Sequence, residues 1–246
     1  MFLITFGDDW TLGTGAWYKT AMPKIVYENT EINYDDSWRI LVRDHFGCQE
    51  RHINFAESKS SNQKQFALAK KYFNSKQFVR NHINNDIVVL WGITTLRRDF
   101  KWCSDSKKYE NITLSGEYSD RSNKDKIGYG LNNWCYNDII ATKELEQEIT
   151  HWNIFFKAMS IKNYWFDSFN SKDYTISPSN FFDITANHRD LLSLLCIKHA
   201  VRNSTGGWLK DPFKYALDNK LINPHDLLPK KEGHKLIAKD FIKKLS

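Results

Sequence analysis

Two aspartates, Asp8 and Asp9, stand directly behind a short apolar run in the opening stretch MFLITFGDDWTLGTG. A carboxylate at a strand end can serve as nucleophile or general base, and a pair can help hold a divalent cation. Three further segments carry side chains of similar use. Residues 54–62 (NFAESKSSN) supply Glu57, Ser58, Lys59, Ser60, Ser61 and Asn62. Residues 92–98 (GITTLRR) supply Thr94, Arg97 and Arg98, and residues 225–234 (HDLLPKKEGH) supply His225 and His234. Asp9 with His225 would make an acid–base pair if their pKa values suit. Asp8, Asp9 and His225 would make a sparse metal set. Ser58, Ser60 and Ser61 are alternative hydroxyl nucleophiles.

The same residues also have structural readings. Asp8 suits an acceptor for nearby backbone N–H groups, and Asn62 suits a helix cap. His225 reads as part of an exposed loop and His234 as packed beside a helix. Trp10, Trp17 and Trp91 divide between core and ligand platform.

The elements that must position these side chains follow from periodicity. Residues 2–6 read as a buried strand, short, apolar and ended by glycine. Residues 37–46 have apolar side chains at 38, 40, 41 and 45, which is helix spacing. Residues 51–55 suit a second short strand, 62–82 a long amphipathic helix, and 86–91 (DIVVLW) a third strand. Strand, helix, strand, helix, strand implies parallel pairing with crossover helices. Ligands then bind beyond the carboxyl ends of the strands, where three of the four candidate segments lie. Residues 100–135 are polar and predict a largely irregular excursion over one face. Helices are expected over 137–161, 188–201, 211–219 and 231–245, and a fourth strand over 163–169. The expected fold is one α/β domain over residues 1–246. It is a three-layer sandwich on a central parallel sheet of about five strands, flavodoxin-like in plan.

Composition narrows the function classes. The charge excess is +6 without any run of five like charges, which argues for a solvated basic surface rather than specific nucleic-acid binding. No apolar segment is long enough to span a membrane, and the opening run lacks a signal peptide's basic start, so a soluble cytoplasmic protein is expected. Four cysteines at 48, 103, 135 and 196 form no CxxC pair and are expected to be free thiols. Nothing calls for a cofactor.

With the four blocks in place, the chain resembles the SGNH, or GDSL-type, hydrolase family over nearly its whole length. Its start resembles the GDSWTYG-like start of the phage-encoded branch, and Gly92-Ile93-Thr94 with Arg97 or Arg98 resembles that branch's G-x-T…R block. The departures fall on the catalytic positions. Asp9 stands where the family has its nucleophilic serine. Lys59 stands at the oxyanion-hole glycine, Thr94 at the third block's asparagine, Leu228 at the catalytic histidine, and His225 at the aspartate three residues earlier. His234 matches the histidine of the closing G-H pair.

That chemistry needs a hydroxyl and an imidazole to take its proton. The resemblance therefore implies a fold that has lost the Ser–His pair. It would serve as a non-catalytic binding or virion-associated module, in contact with other virion proteins or with a carbohydrate or acyl-bearing ligand. The alternative is an esterase or carbohydrate deacetylase with altered chemistry on Asp9 and His225. Asp8, Trp10, Lys59, Asn62 and Thr94 are the expected binding residues, with no metal. Lys59 is further expected to bring its ammonium to Asp9 as a salt bridge.

Overall fold

The computed structural model describes residues 1–14, 16, 35–96, 98–103, 107–114, 137–168, 191–198, 211–224 and 227–246. Strand β1 (Phe2–Phe6) is buried along its whole length. It pairs in parallel with β2 (His52–Asn54) on one side and with β3 (Ile87–Ile93) on the other. Beyond β3 lies β6 (Lys162–Asp167), also parallel. The order is β2-β1-β3-β6. A parallel sheet buried on both faces needs apolar residues at successive positions, and FLITF and IVVLWGI supply them.

Alternation along β1 divides the core in two. Phe2, Ile4 and Phe6 face one helical layer, formed by α3 (Asn62–Phe73), α4 (Lys76–Asn84) and α5 (Asp138–Ala158). Leu3 faces the other. That second layer holds α2 (Trp38–His45), α6 (Leu191–Ser193) with the π turn Leu194–Lys198, α7 (Pro212–Asp218) and α8 (Lys231–Leu245). The first layer is aromatic. Trp91 stacks on Phe6 at 4.4 Å and on Trp165 at 4.7 Å between ring centroids. The expected α/β class with helices on both faces is therefore present, on four parallel strands among the described residues.

Two expectations need correction. The helix expected over 62–82 is two helices, because short polar side chains interrupt it. The Asn74 side chain donates to the Lys70 carbonyl at 2.8 Å and closes α3. Ser75 then accepts from the Phe78 N–H at 3.2 Å and opens α4. The excursion expected over 100–135 begins as an antiparallel hairpin, β4 (Arg98–Cys103) with β5 (Lys108–Thr113). Alternation within KYENIT buries Glu110 and Ile112 and leaves Tyr109 and Thr113 outside, which is strand period; Lys108, at the strand start, is exposed although it shares the face of Glu110. Residues 115–136 lie outside the described residues. Cys48 is a free, buried thiol and Cys196 is buried too; Cys135 and the side chain of Cys103 lie outside the described residues.

Candidate functional site

The site forms where the chain changes direction across the sheet. From central β1 it runs first to β2 on one side, then to β3 on the other, so the loops after β1 and β3 part and leave a crevice. Gly7 turns the chain there with φ +147°, a conformation side chains rarely adopt. Asp8 then caps the short helix α1 (Asp9–Leu12), its carboxylate accepting from the Trp10 N–H at 3.2 Å.

Asp8 is fully buried. Its other donors come from three separate strand ends. Thr94 Oγ1 donates at 2.7 Å, Arg98 Nη1 at 3.3 Å and Ser168 Oγ at 3.3 Å. Burial pushes its carboxyl up to about 6, and the neighbouring Asp9 charge adds to the rise. Arg98, Thr94 and the Trp10 N–H pull the other way. Asp8 is thus a buried acceptor that ties the ends of β1, β3, β4 and β6 together.

Asp9, at the same turn, is 8% exposed. Its Oδ1 accepts from Ser58 Oγ at 2.6 Å and from Thr14 Oγ1 at 3.4 Å. Its Oδ2 accepts the Lys59 backbone N–H at 2.9 Å and lies 3.8 Å from Arg98 Nη1. The expected Lys59 ion pair is therefore corrected. Lys59 reaches Asp9 through its main chain, at φ 56°, while its side chain is exposed. The left-handed backbone turns the N–H inward and the side chain outward. The cation beside both aspartates is Arg98.

Asn62 and Thr94 do come together. The Asn62 amide donates to the Thr94 carbonyl at 3.0 Å and accepts the Thr94 N–H at 2.9 Å. Asn62 is the first residue of α3 rather than its cap. Ser61 caps the helix, accepting from the Lys64 N–H at 3.3 Å. Trp10 is not a ligand platform: it is buried at 2% exposure within the second core layer, and its carbonyl accepts from Trp38 Nε1 at 2.7 Å. His225 lies outside the described residues, so the Asp9–His225 pair does too.

Leu227 and Leu228 pack against the second core layer, Leu227 at φ 59°. The position that the resemblance assigns to a base thus holds an apolar side chain on the core. His234 is fully buried on α8, with Nδ1 accepting from the Trp38 N–H at 3.3 Å. Burial lowers its pKa to about 3, so it is neutral and structural.

Sequence reasoning named Arg98 only as one of two neighbouring arginines, and it missed Ser168 and Gln65. Ser168 follows directly on β6, and a scan for polar residues at every strand end would have found it. Gln65 has no such signal. It is buried on α3, accepts the Gly7 N–H at 3.0 Å and donates to Ser60 Oγ at 2.6 Å. Among the three candidate serines, Ser60 and Ser61 are buried and Ser58 is exposed. Among the described residues, no group of three His, Cys, Asp or Glu side chains could hold a metal ion. The guanidinium of Arg98 supplies positive charge there instead.

No protein-family model matches this chain, and neither does any curated protein.

Proposed function

We propose that this chain is an SGNH-hydrolase-like protein that has lost the Ser–His pair and acts as a non-catalytic binding or virion-associated module. Asp9 carries this reading. An oxyanion hole works by presenting unoccupied N–H donors to a charge that develops during reaction. The Lys59 N–H, at the position of the family's oxyanion glycine, is instead bonded to the Asp9 carboxylate. Asp9 also takes the Ser58 hydroxyl and lies beside Arg98. A resident carboxylate thus occupies the donors that an acyl oxygen would need, and Leu228 offers no base. The finer features of the family, a fifth strand and its loop plan, belong to the same proposal.

A carbohydrate ligand is supported by the hairpin that Arg98 anchors to the site. Tyr109 there is 59% exposed, with the Phe100 ring 5.3 Å away. Such aromatic faces suit sugar rings.

The test is hydrolysis of short p-nitrophenyl esters by the wild type, Asp9→Ala and Asp9→Ser. None should exceed the buffer rate. Wild-type turnover that Asp9→Ala abolishes overturns the reading. Fast turnover by Asp9→Ser alone overturns the assignment of the missing base to Leu228.

A second reading, a hydrolase with altered chemistry, has one observation in its favour. The exposed Ser58 hydroxyl lies 2.6 Å from the Asp9 carboxylate, within general-base reach. Turnover lost in both Ser58→Ala and Asp9→Ala would select it.

A further inference from the structure

A groove on the second helical layer has no part in the strand-end site. It runs between α2 and α8 and encloses about 800 Å³. Leu41 of α2 and Ile242 of α8, both half-buried, line it with apolar surface, and the buried Ala238 closes its floor. Lys235, Lys239 and Lys243 also line it, with His45 on α2 and the carboxylate of Asp240. The lysines stand four residues apart, so they recur every ~6 Å along one stripe of α8. Lys235 is paired with Glu232 at 2.8 Å, and all three lysines are exposed.

We propose that this groove docks an acidic amphipathic helix of a partner protein. Its apolar side chains would lie on Leu41 and Ile242. Its carboxylates, themselves four residues apart, would face the lysine stripe. Charge complementarity selects the partner: the lining carries three lysines against one aspartate, within a chain of net charge +6. The apolar trough selects a helix. A trough between two packed helices accepts a third helix by its apolar face. A nucleic-acid backbone would satisfy the lysines and leave the apolar floor wet, and a flat lipid surface would meet the rim without reaching the floor.

The probe is a fluorescent synthetic helix with Leu on one face and Glu at four-residue spacing beside it, followed by anisotropy at low salt. A second peptide has every Glu replaced by Lys. Saturable binding of the acidic peptide alone is expected, weakening as salt rises. The Lys239→Glu/Lys243→Glu double variant should bind about tenfold more weakly or worse. Ile242→Thr should also weaken binding, whereas Lys157→Glu on α5, in the other layer, should leave it unchanged. Circular dichroism confirms that each variant is folded.

The proposal is overturned by no binding of the acidic peptide, equal binding of the basic one, an affinity indifferent to Lys239→Glu/Lys243→Glu or to Ile242→Thr, or a loss as large with Lys157→Glu. Displacement of the bound peptide by an oligonucleotide of equal charge, or by anionic vesicles, overturns it in favour of those partners.

Discussion

The turn after β1 and the segment leading into α8 would both supply catalytic groups in the resembled family, and here they differ in kind. The turn is polar and saturated. Asp8 and Asp9 together accept from Trp10, Thr94, Ser168, Arg98, Ser58, Thr14 and Lys59. The described apolar residues before α8 are turned to the core instead. Leu227 and Leu228 pack inward, Ile222 bridges to Pro229, and His234 is buried and neutral. A carboxylate can replace a hydroxyl without vacating a site if donors remain to satisfy it. The leucine at position 228 presents no polar group that needs water or a partner, so it packs on the core. Polar networks persist while their partners do, because an unsatisfied buried polar group costs about 1–3 kcal/mol.

The comparison breaks most sharply at its glycines. A Cβ at Gly7 would run into Thr11 Oγ1 and come within 3.3 Å of the Gly92 carbonyl, at a φ that disfavours side chains. Gly7→Ala should cost about 3 kcal/mol or more, read as a shift in the urea midpoint. A Cβ at Gly233 would meet the Leu221 carbonyl and lie 3.2 Å from Pro229 Cβ. Gly233→Ala should cost about 2 kcal/mol, part of the clash being offset by alanine's helix preference. A neutral Gly233→Ala would mean that the segment before α8 is looser than the turn.

The pH response of Asp8 is of similar size. Its carboxyl is raised from an ordinary 3.8 to about 6 in the folded chain. Below about pH 4 both folded and unfolded chains hold a neutral acid, and the stability linked to this group is fully present. It is lost as pH rises through about 6, because the folded chain must then bury a charge. The full swing is on the order of 3 kcal/mol. Urea titrations of the wild type and Asp8→Asn between pH 4 and 7 should show it as a changing difference. A constant difference would show that Asp8 does not titrate in that window.

Leu228→Ala should cost about 1 kcal/mol, since the side chain is only partly buried. Thermal unfolding measures it, and a cost near zero would place Leu228 outside the core.

The smallest effect is at Lys59. Lys59→Gly should stabilise by up to about 1 kcal/mol, because glycine holds φ 56° at less cost and the N–H to Asp9 is kept. Lys59→Ala should stay within about 0.5 kcal/mol of the wild type. A large loss in either variant would restore a role for the ammonium.

Chain order and local pattern determined much of this protein. The short apolar run of β1 and the longer one of β3 read directly as strands. The strand–helix alternation implied parallel pairing, and strand-end chemistry placed Asp8, Asp9 and Thr94 at one edge of the sheet. Those signals are legible because periodicity and turn residues act over a few neighbours. What lay beyond them depended on distance in space. Apart from Trp10 and Thr14, the partners of Asp9 and Asp8 lie 49 to 160 positions away in the chain, and no local pattern encodes them. Whether Lys59 meets Asp9 by its ammonium or its N–H turns on a single backbone dihedral. Strands β4 and β5 pair where polar composition suggested irregularity, because their in-register ladder lets the chain bury Ile112. Tertiary packing settled these points, since a side chain's partners are fixed by the fold that surrounds it rather than by its neighbours along the chain.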